Sequence, residues 1–182
     1  MKRIALILIY NLYVSFICAQ TNYYLEDKTF NEDGYIYQCD VDENTRWVTL
    51  YNKDNQYTYV DHYDRYTGKQ ISIEENQNGG EQLESDDWTR LKCISIINTS
   101  FSEEEKERIK NRAITILLYV NSDTGRISEV EFQFPNFNPF ARIPISVYRQ
   151  IEVELKNNVW FTPTEEGKRR NYILRAWRHE VR

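Results

Sequence analysis

Proline, glycine, cysteine and histidine are all scarce in this chain of 182 residues, which holds 4 Pro, 6 Gly, 3 Cys and 2 His. So little proline and glycine excludes collagen-like and Pro-rich spacer architectures. His62 and His179 are isolated and no Cys-x-x-Cys pair exists, so no metal and no cofactor is expected. There is no Gly-x-Ser-x-Gly elbow, no phosphate-binding Gly loop and no papain-like setting for a cysteine, so no catalytic residue is assigned. Beyond the first 19 residues no long apolar run occurs, which excludes a multi-spanning membrane protein.

The one apolar run sits at the N-terminus. Met1-Lys2-Arg3 precedes a stretch from Ile4 to Ala19 that Asn11 interrupts. A basic start, a short apolar segment and a small residue at its end form a secretory signal peptide, residues 1–19. Cleavage is expected between Ala19 and Gln20, giving an exported protein, periplasmic or extracellular. In the alternative, Cys18 is lipidated and the protein is an outer-membrane lipoprotein, although Ile17 stands where a small residue is usual. A membrane is a partner only in that case. A retained anchor is the third possibility.

Aromatic residues are abundant, with 14 Tyr, 8 Phe and 4 Trp, and they suit half-buried sheet surfaces. Charge is uneven: residues 20–105 carry 19 acids and 7 bases, residues 106–182 carry 9 acids and 14 bases. Such halves attract each other or leave one basic face on an acidic protein. The acidic total argues against nucleic acid as a partner. Glu74-Glu75, Asp86-Asp87 and Glu103 to Glu105 read as solvated charge rather than as a glycosidase pair. Cys39 and Cys93 form a candidate disulfide in an oxidising compartment. Such a bridge would contribute on the order of 4 kcal/mol; the alternative is two buried small hydrophobes.

The fold class is α+β: an antiparallel β meander followed by a small antiparallel sheet with two helices. Residues 20–87 read as a β-rich region whose strands are Tyr35 to Val41, Trp47 to Tyr51, Tyr57 to Val60 and Gln70 to Ile73. An acidic linker from Glu74 to Asp87, with Asn78-Gly79-Gly80, ends that region. In residues 88–182, Trp88 to Ile97 reads as a strand. Ser102 with Glu105 is a capping box. Ile114 to Val120 and Val130 to Phe134 alternate as a hairpin turned at Gly125. Pro144 opens a helix with Val147, Tyr148, Ile151, Leu155 and Val159 on one face. A last strand runs near Asn171 to Val181.

Ile114 to Phe134, Ile145 to Pro163 with its Trp160-Phe161-Thr162-Pro163 ending, and Gly167 to Val181 together resemble the C-terminal domain of TonB energy transducers. The resemblance implies a helix packed on a small antiparallel sheet whose edge captures an extended peptide. On that basis the function is expected to be non-catalytic binding of a protein or peptide partner at the cell envelope. The candidate edge is Asn171 to Trp177, with Asn171, Ile173, Arg175 and Trp177 as binding residues. Two alternatives stay open. One is a carbohydrate-binding module using Tyr57, Tyr59, Tyr63 and Tyr66; the other is an enzyme of unrecognised type, betrayed by a pocket of acids with shifted pKa values. Intact mass of the protein from its native host checks the export reading: a chain starting at Gln20 is expected, and lipid on Cys18 replaces it with the lipoprotein reading.

Overall fold

The computed structural model describes residues 22–72 and 81–182. The expected signal peptide with Cys18 and its expected cleavage point, and residues 73–80 of the acidic linker, lie outside the described residues.

Short runs of alternating apolar residues pair into one six-stranded antiparallel sheet. Its strands are β1 (Lys28–Glu32), β2 (Tyr35–Val41), β3 (Trp47–Asn52), β4 (Ala113–Val120), β5 (Ile127–Pro135) and β6 (Ile173–Glu180). Their order across the sheet is β1-β2-β3-β5-β4-β6. The hairpin between β1 and β2 turns at Asp33 and Gly34, both at positive φ, as tight hairpin turns require. β3 pairs with β5 rather than with β4, the next strand in the chain, setting Val48 beside Phe134 and Leu50 beside Phe132. Strands from residues 20–87 and from residues 88–182 therefore share one sheet and one core.

Every second residue fixes the core face. Tyr37, Cys39, Val48, Leu50, Val130, Phe132, Phe134, Ile116 and Leu118 are fully buried there. Helices α1 (Thr89–Ser100), α2 (Glu103–Ile109) and α3 (Ile145–Asn158) complete the α+β fold. The capping box forms as expected at the start of α2, with Ser102 and Glu105 exchanging hydrogen bonds. α3 starts directly after Pro144 and buries Tyr148, Ile151 and Leu155. Its Glu152 is a buried acid, 1% exposed. The Tyr37 hydroxyl donates to Glu152, and Lys156 approaches it at 3.4 Å, so the buried acid has partners. Gly125 closes the β4–β5 turn at φ +68, and a Cβ there would meet the Phe161 carbonyl at 1.8 Å. Glycine is required there on both counts.

Three expectations are corrected. Trp88 to Ile97 is not a strand: residues 89–100 form α1, with Thr89, Cys93, Ile96, Ile97 and Ser100 buried at helical spacing. Asp86 sets its entry by accepting from the Trp88 and Thr89 amides at 2.9 and 2.7 Å; carboxylates do this at helix starts. Tyr57 to Val60 and the described part of Gln70 to Ile73 are not strands either. They belong to a loop that crosses the second face of the sheet, because the Glu129 carboxylate takes the Gln56 and Tyr57 amides at 2.7 and 2.9 Å. Finally, Cys39 and Cys93 are free thiols rather than a disulfide, one on β2 and one on α1, both buried in the core. Burial pushes each thiol up to about 12, which makes both inert. Thiol titration without reductant should find neither cysteine in the folded protein and both after unfolding; two thiols appearing only on reduction would restore the bridge.

Candidate functional site

The face of the sheet opposite the helices is built from the polar half of each strand alternation. Register sets Asp40 beside Thr49, Thr49 beside Gln133 and Gln133 beside Thr115, with Arg178 at the far end. The next row runs Gln38, Tyr51, Glu131, Leu117, Ala176. Such a row belongs in solvent, yet Glu131 and Glu129 are only 3% and 6% exposed.

The loop after β3 covers them. Tyr57 stacks on Tyr119 at 6.3 Å between ring centroids and lies 4.8 Å from Tyr172. His62 sits 4.2 Å over Tyr172. The loop is tied down by the Tyr172 hydroxyl, which donates to the Val60 carbonyl at 2.6 Å, and by Asp64. Asp64 accepts from the Tyr66 and Thr67 amides and from the Arg169 guanidinium. The Thr67 amide first, and then Arg169, hold its carboxyl well below the ordinary carboxylate range. Arg65 pairs with Asp123 and Arg149 with Asp33. Arg169 on Asp64 and Arg149 on Asp33 join bases of the C-terminal half to acids of the N-terminal half, whereas Arg65 on Asp123 runs the other way.

Buried under this loop, Glu131 accepts from the Tyr119 hydroxyl at 2.8 Å and from Gln133 Nε2 at 2.6 Å. Burial is the main cause that raises the carboxyls of Glu131 and Glu129. Two acids with raised pKa match the pattern expected of an enzyme, but each has its hydrogen bonds within the protein. Glu129 holds the loop on the sheet, while Glu131 bonds side chains of β4 and β5. Among the described residues His62 Nε2, buried beneath its contact with the Tyr172 ring, has no hydrogen-bond partner. His179 Nε2 faces Asn98 Oδ1 at 3.0 Å, and burial lowers both imidazoles. Among the described residues no group of three or more His, Cys, Asp or Glu is placed to hold a metal, and no helix is long and apolar enough to cross a membrane.

Past the loop the same face stays open. A cleft of about 440 Å³ is lined by Asp27, Asp40, Asp42, Trp47, Thr49 and Tyr59, among others. Asp40 Oδ2 accepts from the hydroxyls of Tyr51 and Tyr59, both at 2.9 Å, and Oδ1 accepts from Gln38 at 2.8 Å. Trp47 Nε1 donates to Gln133 Oε1 at 3.3 Å. Tyr59 stands at φ +65, a conformation that costs a non-glycine residue about 1–3 kcal/mol, while 71% of it is exposed.

The sequence-derived binding residues fall at one margin of the sheet. Among the described residues β6 is an end strand, paired with β4 alone. Asn171 precedes it and is already engaged: its amide donates to the Tyr63 carbonyl at 3.1 Å, and its side chain bonds Tyr63 and Asp61. Ile173 is 1% exposed and belongs to the core. Arg175 is exposed on the helix-side face beside Leu118, and Trp177 packs partly buried against the core. Of the four tyrosines proposed as sugar platforms, Tyr57 is part of the packed cover. Tyr63 and Tyr66 flank Asp64, with Arg65 over the Tyr66 ring at 5.4 Å, and only Tyr59 lines the open cleft. Asp40, Trp47 and Thr49 were not singled out by sequence, and their alternation along β2 and β3 was the signal that could have found them.

A family model described as "Domain of unknown function (DUF5043)" matches residues 20–177. A crystal structure of a DUF5043 family protein from Bacteroides uniformis is similar, with 38% sequence identity, a TM-score of 0.82 and 90% of each chain covered. Among curated proteins, none matches. Because burial raises Glu131, its contribution to stability is largest at or below the ordinary glutamate value of 4.5. It should fall as pH rises through the raised value, by about 1.4 kcal/mol for each tenfold gain in proton affinity on folding. Urea unfolding across pH should show that decline, and Glu131→Gln, which removes one of the two raised carboxyls and leaves Glu129, should make it shallower; an identical slope in both proteins contradicts this account.

Proposed function

The chain belongs to the DUF5043 family, and from that premise we propose that it is an exported, non-catalytic binding protein that takes up an extended peptide on the outer side of β6. The observation that carries this reading is the position of β6 as the end strand of the sheet. Unpaired backbone amides and carbonyls along such a strand are a template for another chain. β6 is eight residues long against five for β1 at the opposite end, so it offers the longer ladder. The order hairpin, α3, β6 is the portion that resembles the TonB C-terminal domain, and that resemblance supports strand addition here. The leader at residues 1–19 supports an envelope or extracellular setting, with lipidation at Cys18 as the alternative form.

Charge narrows the partner. Arg175 and Arg178 are exposed on opposite faces of β6, beside Leu118 and Thr115. An added strand carrying carboxylates opposite them gains cross-strand pairing. A second copy of β6 brings like charges together instead, which disfavours self-association. The partner that fits is therefore an acidic extended segment.

Neighbouring residues of a strand point their amides to opposite sides. Of Arg175→Pro and Ala176→Pro, one removes a hydrogen bond to β4 and the other removes only an outward donor. Peptides selected from a displayed random library should be acidic and should protect alternate β6 amides from exchange. Their binding should drop by about tenfold or more, roughly 1.4 kcal/mol, in whichever proline variant stays folded. Failure to select any peptide, or selected peptides that leave β6 exchange unchanged, overturns the proposal.

A further inference from the structure

The open cleft beside Asp40 lies on the far strands of the sheet from β6, and from the loop it is lined by Tyr59. We propose that it is a binding site for a neutral saccharide. Its volume of about 440 Å³ falls within the usual range for small-ligand sites. Its walls combine the two kinds of surface that match a sugar ring: flat aromatic faces for the C–H side, and fixed acceptors for the hydroxyls.

Tyr59 and Trp47 supply the aromatic faces, 71% and 38% exposed. Neither is loose. Tyr59 is fixed by its hydroxyl on Asp40, by the Tyr51 ring set edge-on at 5.9 Å and 87°, and by its φ of +65. Trp47 is fixed by its Nε1 bond to Gln133. Burial does not account for Tyr59, because most of the residue remains in water. A ring kept exposed, strained and yet rigid is what a preorganised stacking platform needs.

The acceptors are Asp27, Asp40 and Asp42. Asp27 spends Oδ1 on the Val41 amide, and Asp42 spends Oδ1 on the amides of Asn44 and Thr45. Each leaves Oδ2 without a hydrogen bond among the described residues, and both carboxylates are held in place by the bonds they do make. Asp40 is oriented by three donors. Among the described residues no lysine or arginine lines the cleft, so sulfated, phosphorylated and uronic ligands meet uncompensated like charge, whereas sugar hydroxyls can donate to all three acids.

The probe is an array of neutral, sulfated and uronic acid-containing glycans, followed by titration of the best neutral oligosaccharide. Saturable binding to neutral glycans is expected, weakened about tenfold or more by Tyr59→Ala or Asp40→Asn. Because Tyr59 is mostly exposed, Tyr59→Ala should keep the wild-type Tm within a few degrees, and Trp47→Ala serves as a second variant if it does not. A proline at Arg175 or Ala176 that leaves the fold intact should leave glycan binding unchanged, so this site and the β6 edge stand or fall separately. No neutral glycan bound, preference for sulfated or uronic glycans, or full affinity in folded Tyr59→Ala and Trp47→Ala overturns the proposal.

Discussion

The pairing of β3 with β5 is the contact on which the rest of the molecule depends. It joins Trp47–Asn52 to Ile127–Pro135 across a long stretch of intervening chain. It closes the core by setting Val48 and Leu50 against Phe134 and Phe132. On the opposite face the same register puts Thr49 beside Gln133 and Tyr51 beside Glu131. A slip of one residue would exchange the two faces, sending the phenylalanines into solvent and the acids into the core.

The second face is divided by what covers it. Over Glu129, Glu131 and Tyr119 the loop lies flat, held by backbone amides on one carboxylate and by tyrosine rings. Over Asp40, Thr49 and Trp47 lies, among the described residues of the loop, the single ring of Tyr59. The polar residues of one sheet thus serve two ends. Half of them fasten a cover, and the other half stay accessible. The aromatic richness of the chain goes into both, since tyrosine packs by its ring and still satisfies its hydroxyl.

Where local pattern and tertiary contact agreed, the sequence was readable. The β4–β5 hairpin, the capping box at Ser102 and the apolar stripe of α3 all follow from spacing within a short window. Trp88 to Ile97 misled because Ile94, Ile96 and Ile97 carry strand propensity, whereas the burial of Cys93, Ile96, Ile97 and Ser100 follows a helical period. Packing against α3 decides between the two. Tyr57 to Val60 looked like a strand for the same reason, but Glu129, distant in sequence, takes the amide of Tyr57. Nothing near Glu131 in the chain signals its burial, because the cover comes from residues more than sixty positions away. Asn171 to Trp177 was recognised as a strand, yet which of its residues are free depended on the loop that claims Asn171.

The same β3–β5 seam sets the order in which the chain can assemble. β4 and β5 meet through a tight turn, so their pairing carries a small loop-closure entropy, as do the hairpins β1–β2 and β2–β3. Joining the two sets requires closing everything between Asn52 and Ile127, including α1 and α2. Nonlocal closure of that kind slows folding. Until it happens, β3 and β5 each present a bare edge with an apolar face, which is a hazard for association between chains. Of the sheet's pairings this seam spans the longest stretch of chain, longer than the β4–β6 pairing, so its closure carries the largest loop entropy. Either of its edges left bare is a template for another chain.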